Sequence, residues 1–399
     1  MTDHPVLGQV ALGYAPMIDR NRGVTALRIT VFPIQPEVLP LAPELLAALA
    51  RTWPEDGGRI SLNIVGEALL DAVMRAELPL NFMLEVPVFM ASDLAYTEVL
   101  AALHHRGNTL LIKGLPLPPL PRGVLDCFAY SIIDLADERR DGLPPPGGVT
   151  RNIPHVQAGV RTLVQMTFAL RRGAIAVFGW PIEDVAAPRA TGSRSPQPTL
   201  QAIIELINRV DSAEPVERLE AVMKTDPTMA FKLMRYLNSP AFGLPVEVTS
   251  FRHAIMLLGY QKLKRWLALL LVAGSGDANQ KPLIFAAVRR GLLLEELGRD
   301  SGFDDALRGE MFICGVFSLL DRLMQQPFDE LLASIPTSEA VRAALVDGTG
   351  PHQPFLDLVR AIEAASVYDI RAAADALMMA VPAVNRALLR AVEAARQLD

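Results

Sequence analysis

The chain has 399 residues, 51% of them apolar and 21% charged, with a net charge of −6 and a pI near 5.6. That composition suits a soluble globular chain with room for two sizeable cores. Its acidity speaks against a protein built to neutralise nucleic-acid phosphates.

The first ten residues, "MTDHPVLGQV", have neither a basic nor an apolar signal-peptide region. The apolar run Trp266 to Gly274 is far shorter than the roughly 20 residues that span a bilayer. A cytoplasmic location is therefore expected. Cys127 and Cys314 lie far apart and outside any metal-ligand spacing, so both are read as buried, reduced thiols.

Apolar or alternating runs then recur between helical patterns. Val24 to Phe32, Arg59 to Val65, Asn81 to Val88, Asn108 to Leu115, Phe128 to Leu135, Ile153 to Gly159 and Ala174 to Trp180 read as strands. Pro43 to Trp53, Glu67 to Glu77 and Leu94 to Gly107 read as helices between them. This alternation predicts βα units around a parallel sheet, and seven or eight units suggest a closed β/α barrel, although residues 1–185 are short for one.

Ala186 to Pro198, "AAPRATGSRSPQP", is small, polar and Pro-rich, so residues 186–198 read as an exposed, cleavable linker. Beyond it, residues 199–399 follow a 3.6-residue period and predict an all-α domain. In "DPTMAFKLMRYLN", Asp226 suits the cap and Pro227 the first position of a helix. Asn238, Ser239 and Pro240 end it, with the two short polar side chains expected to bond its last backbone groups. Ser250 can cap the next helix and Gly259 fits its exit.

These residues carry a resemblance. "MKTDPTMAFKLMRYLNSPAFGLPVEVTSFRHAIMLLGYQKLKRW" resembles the HDOD domain of bacterial signalling proteins. Its signature positions here are Asp226, Pro227, Asn238, Ser239, Pro240, Phe242, Gly243, Ser250, His253 and Gly259. The resemblance implies an all-helical domain related to the HD phosphohydrolases, whose His-Asp pairs hold metal ions. The segment Phe312 to Met324, expected as one helix where such an enzyme carries its dyad, contains Asp321 and no histidine. His253 is read as a structural residue at a helix start, and His352 is the other histidine near in sequence.

The N-terminal half resembles the EAL family of cyclic di-GMP phosphodiesterases, most clearly in "PMIDRNRGV" within an opening hairpin from Leu12 to Pro33. The whole chain is similar to EAL–HDOD two-domain proteins with a degenerate EAL part. This implies a shortened, degenerate TIM-type barrel followed by an all-helical HDOD domain. Carried over position by position, the family's first glutamate falls on Arg28 and its strand-four aspartates on Lys113 and Gly114. Its asparagine and a second glutamate persist as Asn63 and Glu85. Two acids replaced by two bases would repel the paired cations that such a hydrolysis needs. Arg28 or Lys113 is expected to pair with Glu85 instead.

The reading is a non-enzymatic signalling or scaffold pseudoenzyme, without cofactor or metal, near cyclic di-GMP-linked regulation. It would act on signalling proteins through the HDOD domain. A non-hydrolysing cyclic di-GMP receptor is the alternative, and residual phosphodiesterase or HD-type hydrolysis the second. Neither membrane nor nucleic acid is an expected partner, and homo-oligomers are left open. Of the weaker motifs, "YQKLKRW" (Tyr260 to Trp266) reads as a solvated helix face, with nucleic-acid contact as its alternative. "LPLPPLPRG" (Leu115 to Gly123) reads as a loop, with a polyproline ligand as its alternative.

Overall fold

The computed structural model describes residues 4–35, 37–114, 120–121, 123–136, 153–184, 198–223, 251–273 and 280–396. The chain divides into two compact units, Met1–Asp184 with Arg360–Arg386, and Val185–Val359 with Ala387–Asp399. The C-terminal helices are thus shared between units, which the linear boundary at 186–198 does not anticipate.

The first unit holds eight strands in a closed barrel with neighbours in sequence order. They are β1 (Val10–Asp19), β2 (Val24–Pro33), β3 (Arg59–Ile64), β4 (Phe82–Pro87), β5 (Thr109–Lys113), β6 (Phe128–Asp134), β7 (His155–Ala158) and β8 (Ala176–Phe178). β1 runs antiparallel to both β2 and β8, and the remaining pairs are parallel. The parallel pairs follow from the helical crossovers, such as Ala42–Thr52, Glu67–Arg75 and Thr97–His105. The antiparallel pairing of β1 with β2 follows from the tight turn after Asp19. The Asp19 carboxylate accepts backbone N–H groups of Asn21 and Gly23, both at 2.9 Å, while Arg22 takes φ of 61°.

Side chains of one parity fill the barrel interior. Met17, Ala26, Met83, Leu111, Ile132, Val156, Ala176 and Phe178 form one buried cluster drawn from seven strands. The opposite parity of β1 and β8 faces outward. There Ile18 and Val177 pack with Met166 and Ala169 of the helix Leu163–Arg171, which opens with a capping box from Thr162 and Gln165.

A segment distant in sequence completes this unit. Asn385 is fully buried and bonds β1 and its approach with its whole amide group. Its Oδ1 accepts Leu12 N–H at 3.1 Å, and its Nδ2 donates to Leu7 O at 2.8 Å and Val10 O at 2.7 Å. Gly13 faces Ala365 so closely that a Cβ would lie 2.8 Å from the alanine backbone.

The second unit is helical. The helices Lys281–Asp300 and Asp305–Phe317 cross tightly, because Gly315 abuts the Arg290 backbone, where a Cβ would come within 2.6 Å. The helix Phe251–Ala273 packs on Pro198–Asp211 and Asp305–Phe317. It is interrupted at Gly259, whose φ of 69° and ψ of 169° leave the helical region. That matches the expected helix exit, at a backbone angle that glycine adopts without strain.

Three expectations change or fall elsewhere. Phe312 to Met324 is not one helix. One helix ends at Phe317 and another runs Leu320–Met324. The break follows from Ser318, whose hydroxyl donates to Gly315 O at 2.7 Å and accepts from Arg290 at 3.1 Å. Pro198 begins the helix Pro198–Asp211 rather than closing a linker, and the rest of the expected linker lies outside the described residues. So do Asp226, Pro227, Asn238, Ser239, Pro240, Phe242, Gly243 and Ser250, most of the Pro-rich loop after Lys113, and the side chain of His253. Neither Cys127 nor Cys314 forms a disulfide, and both are buried. Among the described residues no single helix is long and apolar enough to cross a membrane.

Candidate functional site

The candidate site lies inside the barrel, where four consecutive strands each turn polar side chains of the interior parity inward. β2 supplies Arg28 and Thr30, β3 supplies Ser61 and Asn63, β4 supplies Glu85, and β5 supplies Lys113. The register places Arg28 beside Ser61 and Thr30 beside Asn63.

Glu85 is the centre of this group, and its side chain is 0% exposed. Arg28 grips it with a two-pronged contact, Nε to Oε1 at 2.7 Å and Nη2 to Oε2 at 2.5 Å. Such fork-to-fork pairs are among the strongest charge-assisted hydrogen bonds. Ser61 donates a third bond to Oε1 at 3.0 Å. The guanidinium of Arg28 also stands 5.2 Å from the ring centroid of buried Phe178.

Lys113 goes elsewhere. Its amine donates to Asn63 Oδ1 at 2.7 Å, and Asn63 in turn donates to Thr30 at 3.2 Å. Burial pushes the Lys113 amine below the usual lysine range, opposed by the charge of Glu85 and reinforced by that of Arg28. Of the two pairings expected with Glu85, the one with Arg28 forms, across two strand intervals, and the hydrogen bond of Lys113 is to a neutral amide.

This donor set does not fit a divalent cation. Glu85 already has both oxygens engaged by a cation and a hydroxyl, and two basic groups share the space. Among the described residues no group of three or more His, Cys, Asp or Glu side chains is placed to hold a metal ion. In the helical unit, Asp321 sits on the short helix Leu320–Met324, and burial raises its carboxyl above the usual range. His352 is buried and bonds Glu310 at 2.7 Å within the second unit.

Ser61 and Thr30 were not singled out in the sequence. A signal existed for both. Each lies two residues from a noted position on its strand, Ser61 from Asn63 and Thr30 from Arg28, and therefore on the same face. Phe178 reaches Arg28 only because the barrel closes.

Comparison with known proteins gives three findings. The HDOD domain family matches residues 195–330. Two curated relatives align with part of the chain. They are the uncharacterized protein YuxH of Bacillus subtilis, 27% identical over 163 residues, and the cyclic di-GMP phosphodiesterase CdgJ of Vibrio cholerae, 28% identical over 148 residues. The aligned parts are 40% and 37% of this chain, and 39% and 34% of those relatives, so the chain covers less than half of either relative. Among solved structures, the PaMucR phosphodiesterase in complex with c-di-GMP is 21% identical with a TM-score of 0.31, covering 44% of this chain and 96% of its own. A standalone EAL protein from Vibrio cholerae O395 is 14% identical with a TM-score of 0.30, covering 44% of this chain and 91% of its own.

Proposed function

We propose that this chain, which carries an HDOD domain at residues 195–330 beside an eight-strand barrel, is a non-enzymatic signalling module in cyclic di-GMP-linked regulation. In this reading it acts through protein–protein contacts and its barrel is a degenerate EAL domain. The observation that carries the reading is the Arg28–Glu85 pair. A two-metal hydrolysis needs carboxylates free to bind cations at the strand ends. Here a guanidinium already neutralises Glu85, and an ammonium stands on the next strand. The site is held by its own charges, so the barrel serves as a scaffold while the helical unit engages signalling proteins.

A second reading rests on Lys113. Its hydrogen bond to a neutral amide leaves its charge available to a phosphate, which favours a receptor that binds cyclic di-GMP without cutting it.

One experiment separates the readings. The purified chain is incubated with cyclic di-GMP and Mn²⁺ or Mg²⁺, followed by product analysis, calorimetry and melting. The scaffold reading expects no linear product, no heat of binding and no metal-dependent rise in melting temperature, since a ligand stabilises only the state it binds. Binding without turnover selects the receptor. Turnover overturns both.

A further inference from the structure

The helical unit contains a cleft of about 440 Å³ that the proposed function does not use. Its walls come from Gln261 to Arg265 on one helix, from Glu295 and Arg299 on a second, from the start of Asp305–Phe317, and from the turn at Pro336 to Ser338. It absorbs the "YQKLKRW" motif. Trp266 and Leu263 point into the core, Tyr260 donates to Glu214 O at 2.7 Å, and Lys262, Lys264 and Arg265 line the cleft.

The lining holds five bases against three acids, in a chain whose net charge is −6. The bases are not equivalent. Arg265 is committed, pairing with Glu295 at 2.6 Å and stacking 3.9 Å from the Phe312 centroid. Lys264 is held by Asp211. Three others have capacity to spare. Lys262 is exposed and makes no ion pair among the described residues. Arg299 uses Nη1 for Glu296 at 3.0 Å, with its side chain 48% exposed. Arg308 uses Nη2 for Asp305, whose side chain is 88% exposed, while its buried Nε has no hydrogen-bond partner.

Each acid in the lining is meanwhile engaged by a base: Glu295 by Arg265, Asp305 by Arg308 and Glu310 by His352. The Arg308–Asp305 pair is solvent-screened and therefore readily exchanged. An entering anion that draws Arg308 away leaves the Asp305 carboxylate, 88% exposed, to be solvated by water. Ile313 and Val341 add an apolar wall.

We infer that this cleft is a binding site for a soluble diphosphate-bearing small molecule of nucleotide size, held by Lys262, Arg299 and Arg308. The volume falls within the usual range for small-molecule sites. Guanidinium forks match phosphate oxygens two at a time, and three cations on one cleft suit a multiply charged group better than a single carboxylate. The apolar wall receives the organic body. The site would give the helical unit a small-molecule input independent of the barrel.

The test titrates the full chain by calorimetry with ADP, inorganic pyrophosphate and citrate at low and high salt. ADP should bind one to one, more tightly than pyrophosphate, and weaken with salt. Lys262→Gln and Arg308→Gln should each weaken ADP binding about tenfold or more, and Arg371→Gln, at an exposed position of the other unit, should not. Equal affinity for ADP and pyrophosphate would overturn the role of the apolar wall, and citrate binding as tightly as ADP would overturn the phosphate preference. No binding at millimolar ADP overturns the proposal, as does binding that survives both cleft variants but is lost in Lys113→Met. If Arg308→Gln fails to fold, amine acetylation of the wild-type chain decides. ADP should protect Lys262, and equal labelling with and without ADP would refute the site.

Discussion

The barrel interior and the helical cleft both gather arginines, lysines and carboxylates, yet they use them in opposite ways. In the barrel, Glu85 is shut from solvent and its partners are directed at it. In the cleft, Asp305 is 88% exposed and Arg308 keeps unused donors. A buried charge must be paired where it stands, because removing one partner strands the other without water. An exposed pair is worth little and its members remain available. Burial, rather than the number of charges, separates an internal brace from a surface prepared for a ligand.

The largest expected effect tests the buried side. Arg28→Ala leaves Glu85 inside the barrel with only Ser61, and should cost about 3–5 kcal/mol in urea unfolding. Arg28→Met with Glu85→Leu removes both charges, and should cost much less than the single change. Equal losses would show that packing rather than charge holds this layer.

Asn385 extends the comparison to neutral groups. Asn385→Ala strands Leu12 N–H and the carbonyls of Leu7 and Val10 in a buried setting. A loss of about 2–3 kcal/mol is expected from unfolding curves. A wild-type curve would mean that water replaces the amide and that the C-terminal segment is not integral to the first unit.

Lys113 offers a pH test of smaller size. Burial lowers its folded pKa below the unfolded value near 10.5, so the unfolded chain binds more protons in the interval between them. Stability should therefore rise with pH through that interval, and be lost as pH falls through the folded pKa. Relative to Lys113→Met, the wild type should gain stability as pH climbs toward 10.5. A flat difference between the two would mean that the amine is as well solvated folded as unfolded.

The smallest effect belongs to the exposed pairs. Asp71→Asn removes the partner of Arg75 on an exposed helix face and should leave the melting temperature unchanged at physiological salt. A clear drop would erase the distinction drawn between exposed and buried pairs.

Much of the barrel was legible in the sequence because strand period is a local property. All seven predicted strands from Val24 onward appear within about two residues of their expected ends. Arg28, Asn63, Glu85 and Lys113 were singled out through the resemblance to EAL proteins, and each fell within a predicted strand. The HDOD segment was legible through an unbroken run of residues, and its family matches there.

What remained depended on closure and long-range register. Whether Glu85 meets Arg28 or Lys113 is decided by strand stagger and side-chain reach across several strands, which no single strand encodes. The third bond from Ser61 arises only once β3 and β4 pair, and the contact with Phe178 only once β8 returns beside β1. The break at Ser318 comes from Arg290 on another helix, against a local pattern that favours continuation. The sequence by itself determined which residues could face inward, because side-chain alternation and helical period act over a few positions. Only the tertiary structure decided which of them meet, which charges lose their water and which stay free, because those depend on packing between segments hundreds of residues apart, as with Asn385 and Leu12.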